Sequence, residues 1–132
     1  MHAAESKGPS ARAAAIAKLT VYHLAALVET ETALDGAELE RYDQTERYDS
    51  TDREFIAEVL GRIERAVSQP TSDVCDVRWG LVFSDSGGGR VTTFFLDAFG
   101  STGILNGETV DVPDTSLIDW LRENYGPDSV LT

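Results

Sequence analysis

Between Asp52 and Phe99 the spacing of the apolar residues changes from a helical period to a strand period, and this change limits the possible folds more than any other feature. Phe55, Ile56, Val59, Leu60, Ile63 and Val67 form one stripe of a helix running from Asp52 to Ser68. Thr51-Asp52-Arg53-Glu54 opens that helix as a capping box, in which the cap oxygen and the glutamate each satisfy a backbone donor of the other. Glu58 stands four residues before Arg62 as a surface pair, and Pro70 closes the segment. From Asp76 onward the period is two. Val77, Trp79, Leu81 and Phe83 share one face of a strand, and Arg90 to Phe99 is its partner. On the partner, Thr92, Phe94, Leu96 and Ala98 carry no charge and are assigned to the core. Val91, Thr93, Phe95, Asp97 and Phe99 take the other face, with Phe95 and Phe99 partly covered.

Ile104 to Val112 is a second hairpin, because Asn106-Gly107 supplies the two positive φ values that a type I′ turn demands. Pro113-Asp114-Thr115-Ser116 opens a last helix bearing Leu117, Ile118, Leu121 and Tyr125, and Gly126-Pro127 stops it. Near the start of the chain, Asp35-Gly36-Ala37-Glu38 is another capping box and begins a short helix through about Tyr42. The region Ala13 to Leu34 admits two readings. Ala13, Ile16, Ala17, Val21, Leu24 and Val28 fall at helical spacing, whereas Leu19-Thr20-Val21-Tyr22 and Glu29-Thr30-Glu31-Thr32 are β-type. The preferred reading is a strand from about Lys18 to Leu34, irregular near Ala25-Ala26.

Segregated runs of helices and strands indicate an α+β fold. The expected architecture is an antiparallel sheet of four to five strands with helices packed mainly on one face. Its core is Val77, Trp79, Leu81, Phe83, Phe94 and Leu96 against Phe55, Val59, Leu60 and Ile63. The 132 residues suit one domain, residues 12–132, preceded by a loose tail over residues 1–11. Cys75 is the single cysteine, so no intramolecular disulfide or four-cysteine zinc site can form, and it reads as a small apolar filler near a strand start. Ala13 to Val28 is interrupted by Lys18 and His23, too short for a membrane span and unlike a signal peptide, so a cytoplasmic location is expected.

The net charge of −12 argues against nucleic-acid binding, which needs a basic footprint, and favours steering toward a basic partner. The charge is concentrated. Between Glu29 and Glu58, 11 acids stand against three arginines.

Few residue sets suggest chemistry. Ser84-Asp85-Ser86-Gly87-Gly88-Gly89 comes close to the serine-protease signature GDSGG, but Ser84 replaces its first glycine. A serine nucleophile also needs a positioned histidine, and only His2 and His23 exist. The stretch reads as a hairpin loop between opposed strands, and no phosphate-binding GK[ST] follows it. His23 reads as a half-buried sheet histidine. No metal-ligand pattern and no cofactor motif is present, so no metal, cofactor or catalytic residue is assigned.

One feature remains. Glu40 to Thr51 reads ERYDQT-ERYDST, a six-residue unit written twice. As a linker it is a solvated connection between helices. As an epitope its tyrosines anchor a partner and its acids steer a basic one. The candidate partner-binding residues are therefore Glu40, Tyr42, Asp43, Glu46, Tyr48 and Asp49.

The order of segments VYHLAALVETETAL, DREFIAEVLGRIERA, DVRWGLVF, RVTTFFLDAFG, GILNGETVDV and a closing helix resembles the small acidic bacterial proteins that serve as immunity partners of secreted toxins. The resemblance spans about Lys18 to Tyr125 and rests on layout and composition. It implies neutralisation of a cognate toxin by tight binding, without catalysis. Two other readings stay open: an enzyme or ligand-binding domain for a small molecule, and an acidic mimic of DNA.

Overall fold

The computed structural model describes residues 15–25 and 33–125. In chain order the elements are β1 Lys18–His23, α1 Gly36–Arg41, β2 Glu46–Ser50, α2 Arg53–Ala66, β3 Val77–Ser84, β4 Arg90–Asp97, β5 Thr102–Leu105, β6 Glu108–Asp111 and α3 Ser116–Tyr125. All strand pairs are antiparallel, in the order β2-β1-β3-β4-β5-β6. The fold is α+β, with six strands where four to five were expected. The additional strand is β2, which is the second copy of the ERYD unit.

β3 is buried along its whole length, because both faces of the sheet are covered at its centre. On one face Trp79, Leu81, Phe83, Phe94 and Leu96 meet Val59, Leu60 and Ile63 of α2 and Leu117, Ile118 and Leu121 of α3, much as the alternation predicts. Phe55 is partly buried against the same cluster. On the other face Leu24, Leu34, Leu39, Val77, Val82 and Phe95 form a second cluster beneath α1. Glycine permits that close approach. A Cβ on Gly80 would lie 2.9 Å from the Phe95 ring, and one on Gly36 would lie 2.6 Å from it. The ring thus occupies space that any side chain at either position would take.

Three expectations change in detail. Val77 belongs to the second cluster and not with Trp79. Opposite β4 the register runs Val77↔Asp97 and then Trp79↔Leu96, so Arg78 is an extra residue that breaks the alternation. Arg78 is itself buried, with its guanidinium donating to the Ala25 carbonyl at 3.2 Å and to Asp76 at 3.3 Å. Phe99, expected to be partly covered, is 80% exposed. β4 stops at Asp97, whose carboxylate accepts from the Ser101 N–H and hydroxyl and turns the chain, leaving Phe99 at the tip. His23 is buried and not half-buried, because it stacks on Trp79 at a centroid distance of 3.9 Å.

Over Lys18–His23 the strand reading holds and the helical one does not. The strand is shorter than expected, and its proposed continuation through Glu29–Thr32 lies outside the described residues, as do the tail over residues 1–11 and the Gly126-Pro127 stop. Both helices start where the sequence places them, but only the first capping box forms; at the second the cap is Asp52, one residue beyond the expected Thr51, and no reciprocal bond from Glu54 accompanies it. Asp35 and Glu38 exchange bonds of 2.8 and 2.9 Å, and the Asp52 carboxylate accepts from the N–H groups of Glu54 and Phe55. Asn106 has φ 50 and Gly107 φ 89, as the hairpin turn requires. No helix among the described residues is long and apolar enough to cross a membrane.

Candidate functional site

The two copies of Glu-Arg-Tyr-Asp fold differently. In the first, Glu40 and Arg41 finish α1, Tyr42 is its C-cap and Asp43 enters a turn. In the second, Glu46 to Asp49 form most of β2, paired along β1 from His23↔Glu46 to Leu19↔Ser50. The linker reading of this stretch therefore fails for the second copy. The local sequence is the same, so neighbours decide the outcome. Asp35 caps a helix that runs into the first copy, while β1 offers a free edge to the second.

The copies also face opposite sides of the sheet. Tyr42 packs on the second cluster and Tyr48 on the first. Both tyrosines are half-buried, more enclosed than a surface epitope predicts. Glu40 is gripped by both terminal nitrogens of Arg90, one bond at 2.9 Å, and so is largely neutralised. The structure thus separates Glu40 and Tyr42 from the remaining candidates. It gathers Asp43, Glu46, Tyr48 and Asp49 along the turn into β2 and along β2 itself.

Each of these has a definite setting. The Tyr48 hydroxyl donates to the Glu46 carboxylate at 2.7 Å, and its ring lies 5.0 Å from that of Tyr125. Burial, followed by the Glu46 hydrogen bond and charge, pushes the Tyr48 hydroxyl up to about 12. Asp49 accepts from the Thr20 hydroxyl at 2.8 Å and pairs with Arg47 at 3.5 Å. These contacts, the Thr20 bond foremost, hold its carboxyl below the usual range. Arg47 in turn sits 5.8 Å above the Tyr22 ring.

The backbone of β2 supplies the feature that residue types alone do not reveal. Leu24 donates to the Arg78 carbonyl and continues the register in which His23 faces Trp79. Strand alternation then assigns Thr20 and Tyr22 to β3, and Leu19, Val21 and His23 to β2. Glu46, Tyr48 and Ser50 are therefore bonded to β1, while Arg47 and Asp49 turn their N–H and C=O groups outward. Among the described residues nothing pairs with them. The opposite edge differs, because residues 68–71 run along β6. Ser68 donates to Asp111, Asp111 to Gln69 and Thr71 to Thr109. No local signal identified this edge, because Glu46 to Ser50 has a single apolar ring and no apolar alternation. Thr20 and Arg90, which hold Asp49 and Glu40, carried no local signal.

Ser84-Asp85-Ser86-Gly87-Gly88-Gly89 spans the end of β3 and its turn into β4. The Asp85 carboxylate accepts from the N–H groups of Gly87 and Gly89, and Gly88 has φ 89. Asp85 is thus occupied with the backbone of its own loop. Ser86 is exposed, and His23 lies toward the other end of β3 beside Trp79. Cys75 is half-buried near the second cluster. Its thiol donates to the Thr102 carbonyl at 3.3 Å and is pushed up to about 12, first by burial and then by Asp97 and Asp76. A thiol held protonated in this way is a poor nucleophile. Among the described residues no group of three or more His, Cys, Asp and Glu side chains could hold a metal ion.

In comparisons with known proteins, no family model matches the chain, and no curated protein or solved structure matches it either.

Proposed function

We propose that this chain is a non-catalytic protein-binding module of the cytoplasm, of the kind that neutralises a cognate toxin, and that its partner presents a basic surface. The observation that supports this reading most is the composition of the β2 edge and the turn before it. Asp43, Glu46 and Asp49 are all exposed there, and the edge has a single arginine, Arg47, which pairs with Asp49. A surface of this kind attracts cations at long range, and the bare backbone beside it offers directional hydrogen bonds at short range. Tyr48, held by Tyr125 and Glu46, is the rigid ring at its centre.

The test is capture of partners from the source cell at low salt by the native chain and by an Asp43→Asn, Glu46→Gln, Asp49→Asn variant. The expected result is a basic protein recovered by the native chain and bound more slowly, with less salt dependence, by the variant, because steering acts on the association rate. An association rate unchanged in the variant contradicts the proposal, as does a captured partner that lacks a basic surface.

A further inference from the structure

We propose that the open edge of β2 also pairs with the β2 edge of a second copy of this chain, antiparallel, about a two-fold axis at Tyr48. The residues that face outward and the charges they carry set the register. Arg47 and Asp49 hold the outward backbone groups, and in an antiparallel ladder such residues must meet one another. Three symmetric registers satisfy this. An axis at Arg47 sets that residue against itself, and an axis at Asp49 sets two carboxylates together. Like charges directly opposite are unfavourable in both. An axis at Tyr48 sets each Arg47 against the second copy's Asp49, twice over, and is also the register that overlaps all five residues of the strand.

The remaining pairs are compatible. Glu46 meets the second copy's Ser50 on one face of the joined sheet. The two Tyr48 residues form a non-hydrogen-bonded pair on that face, where side chains approach most closely. The strand offers four backbone hydrogen bonds and two ion pairs to the contact, and it is self-complementary in the sense a two-fold interface requires. The opposite edge cannot do the same, because residues 68–71 occupy it.

The contact is small. Five residues a side fall well short of the ~800 Å² per partner of a stable complex, so the dimer depends on concentration. Each chain carries a net charge of −12, so the two bodies repel at low salt. Raising the salt screens that diffuse repulsion more than it weakens ion pairs at contact, and the dimer tightens. Binding of a basic partner has the opposite salt dependence. A second copy and a basic partner would compete for the same edge, but the dimer is tested on the purified chain alone, so its failure and that of the proposed function are read separately.

The test is sedimentation equilibrium of the native chain, Arg47→Asp, Asp49→Arg and the double variant Arg47→Asp/Asp49→Arg, at about 0.05 M and about 0.5 M salt. The native chain is expected to show a monomer–dimer equilibrium that shifts toward dimer at the higher salt. Each single substitution converts two ion pairs into two like-charge contacts and is expected to raise the dissociation constant about tenfold or more. The double variant restores opposite charges across the axis and is expected to recover the native value. Thermal midpoints of all four chains separate loss of pairing from loss of folding. A native chain that stays monomeric throughout overturns the proposal. So does a dimer that both single substitutions leave unchanged, or one that the double variant fails to restore.

Discussion

At β6 the outer edge of the sheet is occupied by residues 68–71, which bond to it through Ser68, Gln69 and Thr71. At β2 the outer edge carries Arg47 and Asp49 with their backbone groups facing away from β1 and, among the described residues, no strand beside them. An exposed edge is a template for pairing, and proteins usually cover it or place charges on it. This chain does one at each end. The covered edge is tied to α2 and through it to the core, so sequence change there acts on stability. The charged edge stands apart from the core except at Tyr48, so sequence change there can act on association while leaving the fold alone.

The largest expected effect comes from loosening the helix that leads into the covering segment. Leu60 is 6% exposed in the α2 stripe, and Leu60→Ala is expected to cost roughly 2–5 kcal/mol in urea denaturation. A change of under ~0.5 kcal/mol, the size of a surface substitution, contradicts this placement. A smaller effect is expected from removing one bond of the cover itself. Thr71→Pro deletes the N–H that reaches the Thr109 carbonyl and is expected to cost about 1–3 kcal/mol. Faster amide exchange confined to residues 68–71 and β6 is its expected signature.

The smallest effect belongs to the open edge and depends on pH. Tyr48 keeps its proton to about 12 in the folded chain, against an ordinary value near 10. Between those values the unfolded chain releases a proton that the folded chain retains, so stability falls as pH rises from about 10 to about 12. Tyr48→Phe is expected to flatten that slope in denaturation series across this range. An identical slope in both chains assigns the effect to another group.

Much of this arrangement was legible in the sequence. The α2 stripe, the Asp35–Glu38 capping box, the Asn106-Gly107 turn and the inward face of β4 follow from period and local chemistry, because in each case residues near in sequence decide the structure. β2 was not legible, since Glu46 to Ser50 has little apolar content and becomes a strand only because β1 offers it an edge. The position of Val77 was missed because the extra residue at Arg78 is a property of two strands in register and not of one. The candidate site was read in part. Its acids and Tyr48 were named, but the two tyrosines of the doubled unit were grouped when the sheet lies between them. Residue types alone cannot say which face of a sheet not yet built each will occupy.

Among the described residues one edge of the sheet is bare and the other covered, and amide hydrogen exchange measured residue by residue on the dilute chain tests this difference most directly. The N–H groups of Arg47 and Asp49 are expected to exchange rapidly beside protected Tyr48 and Ser50, while Thr71 and Asp111 at the other edge are slow. Protection at Arg47 and Asp49 equal to that at Tyr48 in the dilute monomer would contradict it, because the β2 edge would then already be covered within a single chain.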